Sequence, residues 1–197
     1  MKIKRISAIL TAAILAVATF AGCSGGAKSG DAFDSAKEIG VISRESGSGT
    51  RGAFIELFGI EEKDSSGKKV DKTTDSAVTT DKTSVMMTTV AGDPYSIGYI
   101  SLGSLNKTVK ALKIDGAEAS VENIKAGSYK ISRPFNIVTK DGLSAAAQDF
   151  IDFIMSADGQ KVIEDNGYIP VSDAPAYSGK ADGGKIVVEG SSSVTPV

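Results

Sequence analysis

The 197-residue sequence has no histidine, no tryptophan and a single cysteine. The missing histidine removes Ser-His-Asp and Cys-His catalysis, and together with the lone cysteine it removes every Cys/His zinc pattern. Chemistry by carboxylates, or with a metal held by oxygen ligands alone, stays open. Excess charge of one sign is also lacking: 22 basic residues stand against 24 acidic ones. The uncharged stretch from Ile6 to Phe20 falls short of the ~20 apolar residues a bilayer-spanning helix needs. What is present, 41% hydrophobic residues, is ordinary for a folded chain and excludes disorder throughout.

Lys2, Lys4 and Arg5 precede the uncharged stretch, and "AGC" follows it at Ala21 to Cys23. That is the layout of an export signal over 1–22, cleaved after small residues. It resembles a bacterial lipoprotein signal, which implies lipid attachment at Cys23 and an extracytoplasmic location on the outer face of the cell membrane. Phe20 stands where such signals usually carry Leu, and an ordinary signal peptide followed by a stray cysteine is the competing reading. Cleavage takes away those three basic residues, leaving 19 against 24 acidic and a formal charge of −5. Nucleic acid is therefore a poor partner, and any anion must be held by local donors against the overall field.

Residues 23–37, small and polar, read as a flexible tether. Ile39, Val41 and Ile42 make a short β-type run, and Ala53, Phe54, Leu57 and Phe58 share a helix face that Gly59 can end. Residues 61–83 read as a charged surface excursion without assigned chemistry. Ser84 is expected to cap a helix carrying Val85, Met86 and Val90, the methionines as core filler. "SIGYIS" predicts a buried strand, and "VKALKI" and "RPFNIVT" two more. "VENIKAGSY" predicts one helical turn, and "LSAAAQDFIDFIM" and "DGQKVIEDNG" two helices, the second closing at Gly167. The mixture predicts an α/β lobe over 38–171 with a mixed sheet and flanking helices. A linker over 172–184 follows, and 185–197 restarts as a strand, "KIVVEG", running into a Ser-rich turn.

"EIGVISRESGSGT" and "KIVVEGSSSVT" are two apolar strands that each enter glycine and hydroxyl residues where a helix should begin. A helix N-terminus offers unpaired backbone N–H groups and a positive dipole end, and hydroxyls add donors, so each corner suits an anion. Arg44 adds a permanent charge and a flat fork of donors matched to a tetrahedral oxyanion. Plain helix capping is the competing explanation, stronger for "SSSVTP", which has no arginine. A nucleotide P-loop does not fit, because neither loop has the G-x-x-x-x-G-K-[ST] spacing.

"SRESGSGTRGAF", "AGDPYSIGYISLGSL", "ISRPFNIVTK", "FIDFIMSADGQKVIEDNGYIPV" and "GKIVVEGSSSVTPV" resemble segments of PstS-type phosphate-binding proteins, the substrate-binding lipoproteins of phosphate ABC importers. The resemblance implies a type II periplasmic-binding-protein-like lobe with an incomplete second lobe. It implies phosphate ligands at Arg44, Ser48, Gly49 and Thr50, with Ser192 and Ser193 from the second turn; Arg51 stays unassigned. It implies no cofactor, no metal and no catalysis. The implied partners are inorganic phosphate, the importer's membrane permease and a membrane reached through the lipid, for a monomer. The order of segments is inverted relative to the usual one, as in a circular permutation or a tandem array, and the expected continuation past Val197 makes the chain look truncated.

Family members close two lobes on phosphate. Micromolar capture requires about 8 kcal/mol net, more than one loop with one arginine supplies, so residues 23–197 alone are expected to bind weakly and a longer parent tightly. The family's proton-accepting aspartate falls in the segment expected after Val197. Glu45 adjoins Arg44, but successive strand residues face opposite ways, which sets it aside as a substitute. Phosphate over sulfate thus rests on the resemblance. Two alternatives remain: an exported enzyme acting on phosphorylated substrates, and a surface module for another oxyanion or a protein partner.

Overall fold

The run Gly40–Arg44 (β1) forms the centre of a three-stranded sheet, and its last three residues, Ile42, Ser43 and Arg44, are buried. The computed structural model describes residues 33–179 and 183–197; the leader, Cys23 and most of the tether lie outside them. Within Lys37–Val197, a compact unit, β1 pairs in parallel with Val78–Thr80 (β4) on one side and Ser96–Ile97 (β5) on the other. Parallel neighbours need long crossovers. The first contains the helix Gly49–Leu57 (α1) and an antiparallel ribbon of Glu61–Lys63 (β2) and Lys69–Asp71 (β3); the second contains the helix Thr83–Gly92 (α2). Arg44 lies in register with Thr80, so β1 and β4 end together beside the starts of α1 and α2. The carboxyl end of a parallel sheet is where such folds open a crevice for ligands.

Helix α1 begins because Ser48, in extended conformation, accepts the Arg51 N–H on its Oγ at 3.3 Å. It ends at Phe58, followed by Gly59 at φ +66°, a conformation that favours glycine. Phe54 stacks on Tyr99 with ring centres 4.0 Å apart. Since β5 stops at Ile97, the Arg44 N–H has no ladder partner on that side. The Tyr99 hydroxyl accepts it at 3.0 Å and also pairs with Ser43 Oγ at 2.9 Å. Met86 and Met87 of α2 are buried, as core filler should be, and a Cβ on Gly98 would sit 2.8 Å from Met86 Sδ.

The helices follow their sequence patterns. Ser120 caps Val121–Lys125 (α3), Ser144 caps Ala145–Ile154 (α4) and Ser156 caps Ala157–Asp165 (α5), with Gly167 at φ +79° just beyond. Helix α2 starts two residues earlier than expected, with Lys82 rather than Ser84 at the cap position and no side-chain capping bond. The strands depart further. The expected excursion at 61–83 contains the β2–β3 ribbon and β4, a strand of the central sheet. "SIGYIS" contributes two strand residues, of which Ile97 is exposed. "VKALKI" makes only one bridge, Ile114 to Ala117, while "RPFNIVT" and "KIVVEG" form no strand among the described residues. Val138 and Val187 are 90% and 80% exposed. A β-type run becomes a strand only when a neighbour takes its backbone groups, and these runs have none here. No helix among the described residues is long and apolar enough to cross a membrane.

Candidate functional site

Where β1 ends, the chain must leave the sheet and start α1 within four residues. It does so through a turn in which Ser48 N–H donates to Glu45 O at 3.2 Å and Gly47 takes φ +89°. A residue with a Cβ at that φ is strained by about 1–2 kcal/mol. Gly47→Ala is therefore expected to lower stability by about that much and to weaken anion binding, since the strain displaces the donors that follow it; a denaturant melt with a phosphate titration measures both.

The turn, the start of α1, the end of β4 and the segment Gly190–Ser192 enclose a cleft of about 450 Å³, lined by Arg44, Glu45, Gly47, Ser48, Gly49, Asp81, Gly190, Ser191 and Ser192. Arg44, 2% exposed, is its charged floor. Its Nη2 donates to Ser192 Oγ at 2.9 Å and to Asp81 O at 3.2 Å, its Nη1 to Thr83 Oγ1 at 3.3 Å, and its Nε to Thr80 O at 3.3 Å. The remaining contact is an ion pair with Glu45, Nε to Oε2 at 2.9 Å and Nη2 to Oε1 at 3.0 Å. Hydrogen bonding from Arg44 holds the Glu45 carboxyl below its ordinary range; burial opposes this, and the charges of Arg44 and Arg51 add to the lowering. A carboxyl lowered in the folded state contributes stability above its ordinary pKa, and loses it as pH falls through the lowered one.

The two Ser-rich loops meet. Besides Arg44 with Ser192, the hydroxyls of Thr50 and Ser193 bond each other, and a Cβ on Gly49 would lie 3.3 Å from Ser191 Oγ. The second loop is a 3₁₀ turn, Ser192–Val194, in which Ser191 Oγ accepts the Ser193 N–H at 3.3 Å. Ser193 is buried and its carbonyl accepts from the Tyr168 hydroxyl. Of the sequence-derived residues, Arg44, Ser48, Gly49 and Ser192 thus line the cleft. Thr50 and Ser193 stand behind it and tie its two walls together. Ser48 Oγ and Ser192 Oγ each accept a bond in this arrangement, so each keeps its O–H to donate. The N–H groups of Gly49 and Thr50 make no hydrogen bond in the structure, as the first turn of a helix leaves them.

Several participants were not read from the sequence. Glu45 was set aside by strand alternation, but β1 ends at Arg44 and the rule stops with it. Asp81 and Thr83 reach Arg44 across 37 and 39 residues, from a segment with no local signal of chemistry. Arg51, left unassigned, braces the corner: its Nη1 donates to Arg44 O at 2.6 Å and its Nη2 lies 2.7 Å from Asp71 Oδ2 on β3. Burial pushes the Asp71 carboxyl up, but the Thr73 hydroxyl and amide, with Arg51, outweigh it and lower it. Among the described residues, no cluster of acidic or cysteine side chains could hold a metal.

A family model described as a PBP superfamily domain matches residues 10–158. The phosphate-binding protein PstS 2 of Streptococcus agalactiae is 58% identical over 198 residues, covering 100% of this chain and 66% of its own length. PstS 2 of Streptococcus pneumoniae serotype 4 is 45% identical over 197 residues, covering 99% of this chain and again 66% of its own. The chain thus spans about two thirds of the length of the curated relatives it matches. Among solved structures, a phosphate-binding protein of a phosphate ABC transporter from Streptococcus pneumoniae superposes with TM-score 0.62 at 50% identity, over 72% of this chain and 55% of that one. A substrate-binding protein with bound phosphate from Clostridium perfringens gives 0.60 at 39%, over 68% and 52%.

Proposed function

We infer the activity from one premise: the chain belongs to the PstS family within the PBP superfamily. The protein captures inorganic phosphate outside the cytoplasm and delivers it to the membrane permease of an ABC importer. It acts as a monomer, held at the outer face of the cell membrane by a lipid on Cys23 after removal of residues 1–22. Residues 38–171 form the phosphate-binding lobe, 172–184 a linker, and 185–197 the start of the other lobe.

The observation that carries this reading is the meeting of two loops beside one buried arginine, Arg44, whose fork reaches Ser192, 148 residues away in sequence. Arg44 supplies the charge and two parallel donors, Ser48 and Ser192 supply hydroxyls from opposite walls, and the free amides of Gly49 and Thr50 meet the anion at the positive end of α1. The Thr50–Ser193 pair and Tyr168 hold the second loop against the first, so these donors are in place before the ligand arrives. Such preorganisation lowers the ordering cost that would otherwise be subtracted from affinity. No bond need be made or broken.

The test is an incubation of the protein as its gene encodes it with labelled phosphate and with a generic phosphoester. Stoichiometric retention of the first and an intact second are expected. Turnover of the ester, or failure to retain phosphate at micromolar concentration, overturns the reading.

A further inference from the structure

We propose that Glu45 is a resident competitor for the anion position: its carboxylate occupies the Arg44 fork while the site is empty, and an arriving oxyanion binds by taking that fork from it. The proposal rests on the phosphate-capture reading and adds to it a residue that limits affinity.

A guanidinium at 2% exposure needs a counter-charge, because an unpaired buried cation is costly. Glu45 provides it side-on, with one oxygen on Nε and the other on Nη2. Two oxygens of a tetrahedral oxyanion would use that same pair of donors. The other partners of Arg44, namely Thr80 O, Asp81 O, Thr83 Oγ1 and Ser192 Oγ, are neutral and keep the guanidinium in place whichever anion it holds. Glu45 itself is poised to leave. Its side chain is 37% exposed at the cleft. Its backbone is anchored separately by the N–H bond to Thr80 O at 3.1 Å, so rotation of the side chain alone clears the fork.

The charged groups around Glu45 fix the sign of the linked proton. Arg44 on β1 and Arg51 on α1 lower its pKa, while Asp81, after β4, lines the same cleft. Arg51 is already committed to Asp71 at 2.7 Å. Once an oxyanion holds Arg44, the displaced carboxylate has lost its main partner and faces a new negative charge. Its pKa then rises, and phosphate binding takes up protons in the acidic range through which Glu45 titrates. A carboxylate that served only as a structural brace would remain on Arg44 and rise less, through the like charge of the bound anion alone.

The test is calorimetry with inorganic phosphate at pH 7 on the protein as its gene encodes it and on its Glu45→Gln variant, with the Glu45 side-chain carboxyl followed by carbon NMR across an acid titration. The variant keeps the shape and removes the competing charge. It is expected to bind phosphate about tenfold more tightly, and saturating phosphate is expected to move the wild-type Glu45 midpoint upward. If the wild type binds phosphate, the variant binds no better and the midpoint does not rise, the competitor role is overturned while phosphate capture stands. If neither protein binds phosphate, both readings fall. Should the variant fail to fold, the wild-type midpoint decides alone, and one that stays put or falls on adding phosphate overturns the proposal.

Discussion

Phosphate affinity is expected to fall at least about 100-fold when Arg44 is replaced by alanine in the protein as its gene encodes it. Two losses combine. The fork contributes charge-assisted bonds worth about 1.5–3 kcal/mol each before ordering costs. The Glu45 carboxylate, left in the cleft without its guanidinium, then repels the incoming anion. Arg44→Lys is expected to recover less than a tenth of the lost affinity. An ammonium cannot present two parallel donors, and it cannot span Thr80 O, Asp81 O, Thr83 and Ser192 at once. Calorimetry measures both variants, with a thermal melt to confirm folding. Affinity within threefold of wild type for a folded Arg44→Ala variant would remove Arg44 from the site.

A single methyl group at Gly103 is expected to have a large effect on stability. Gly103 lies in the 3₁₀ turn Leu102–Ser104 against the face of Tyr168. A Cβ there would overlap ring atoms Cε2 and Cζ and sit 2.8 Å from Cε1. Tyr168 has little room to retreat: it is 8% exposed, its ring meets Phe135 edge-on at 5.8 Å, and its hydroxyl is bonded to the carbonyl of Ser193. Overpacking of this kind costs about 1–3 kcal/mol, which for a chain of this size lowers Tm by roughly 5–10 °C at the upper end. If the ring moves, it drags the Ser191–Ser193 turn with it, so phosphate binding should weaken in parallel. Gly52→Ala is the control. It lies inside α1 with no atom within 4 Å of the added Cβ, and is expected to be neutral or to stabilise by up to about 1 kcal/mol. Equal melting temperatures for Gly103→Ala and wild type would show that the packing around Tyr168 is looser than described.

The helices of this chain were legible because their signals are local. Phe54 and Leu57 recur at helical spacing, and Gly59 and Gly167 mark the ends, whereas the capping roles of Ser48, Ser144 and Ser156 emerge only in the structure. Strands were less legible, since a strand exists only through a neighbour that the sequence does not name. "KIVVEG" has every local feature of a strand and pairs with nothing here, whereas Val78–Thr80, in a stretch of Ser, Thr and Asp, flanks β1 along its buried half. The site divides the same way. Glycine, hydroxyl and arginine clustering marked the two corners and Arg44, and the resemblance to PstS-type proteins implied Ser48, Gly49 and Ser192 within them; all four reach the cleft. Thr50 and Ser193 were implied by the same resemblance, and their hydroxyls bond each other across the wall. Glu45 escaped because a periodicity was applied one residue past the strand that justifies it. Asp81 escaped because its contribution is a backbone carbonyl, which no side-chain pattern reports.

An oxyanion is expected at the corner where β1 becomes α1, gripped by Arg44. The most direct measurement is a crystal structure of the protein grown with phosphate. Phosphate oxygens are predicted within hydrogen-bonding distance of Arg44 Nε and Nη2, the Gly49 amide and the hydroxyls of Ser48 and Ser192, with the Glu45 carboxylate turned out toward solvent. Phosphate bound elsewhere, with the Arg44–Glu45 pair intact and the cleft empty, would contradict it.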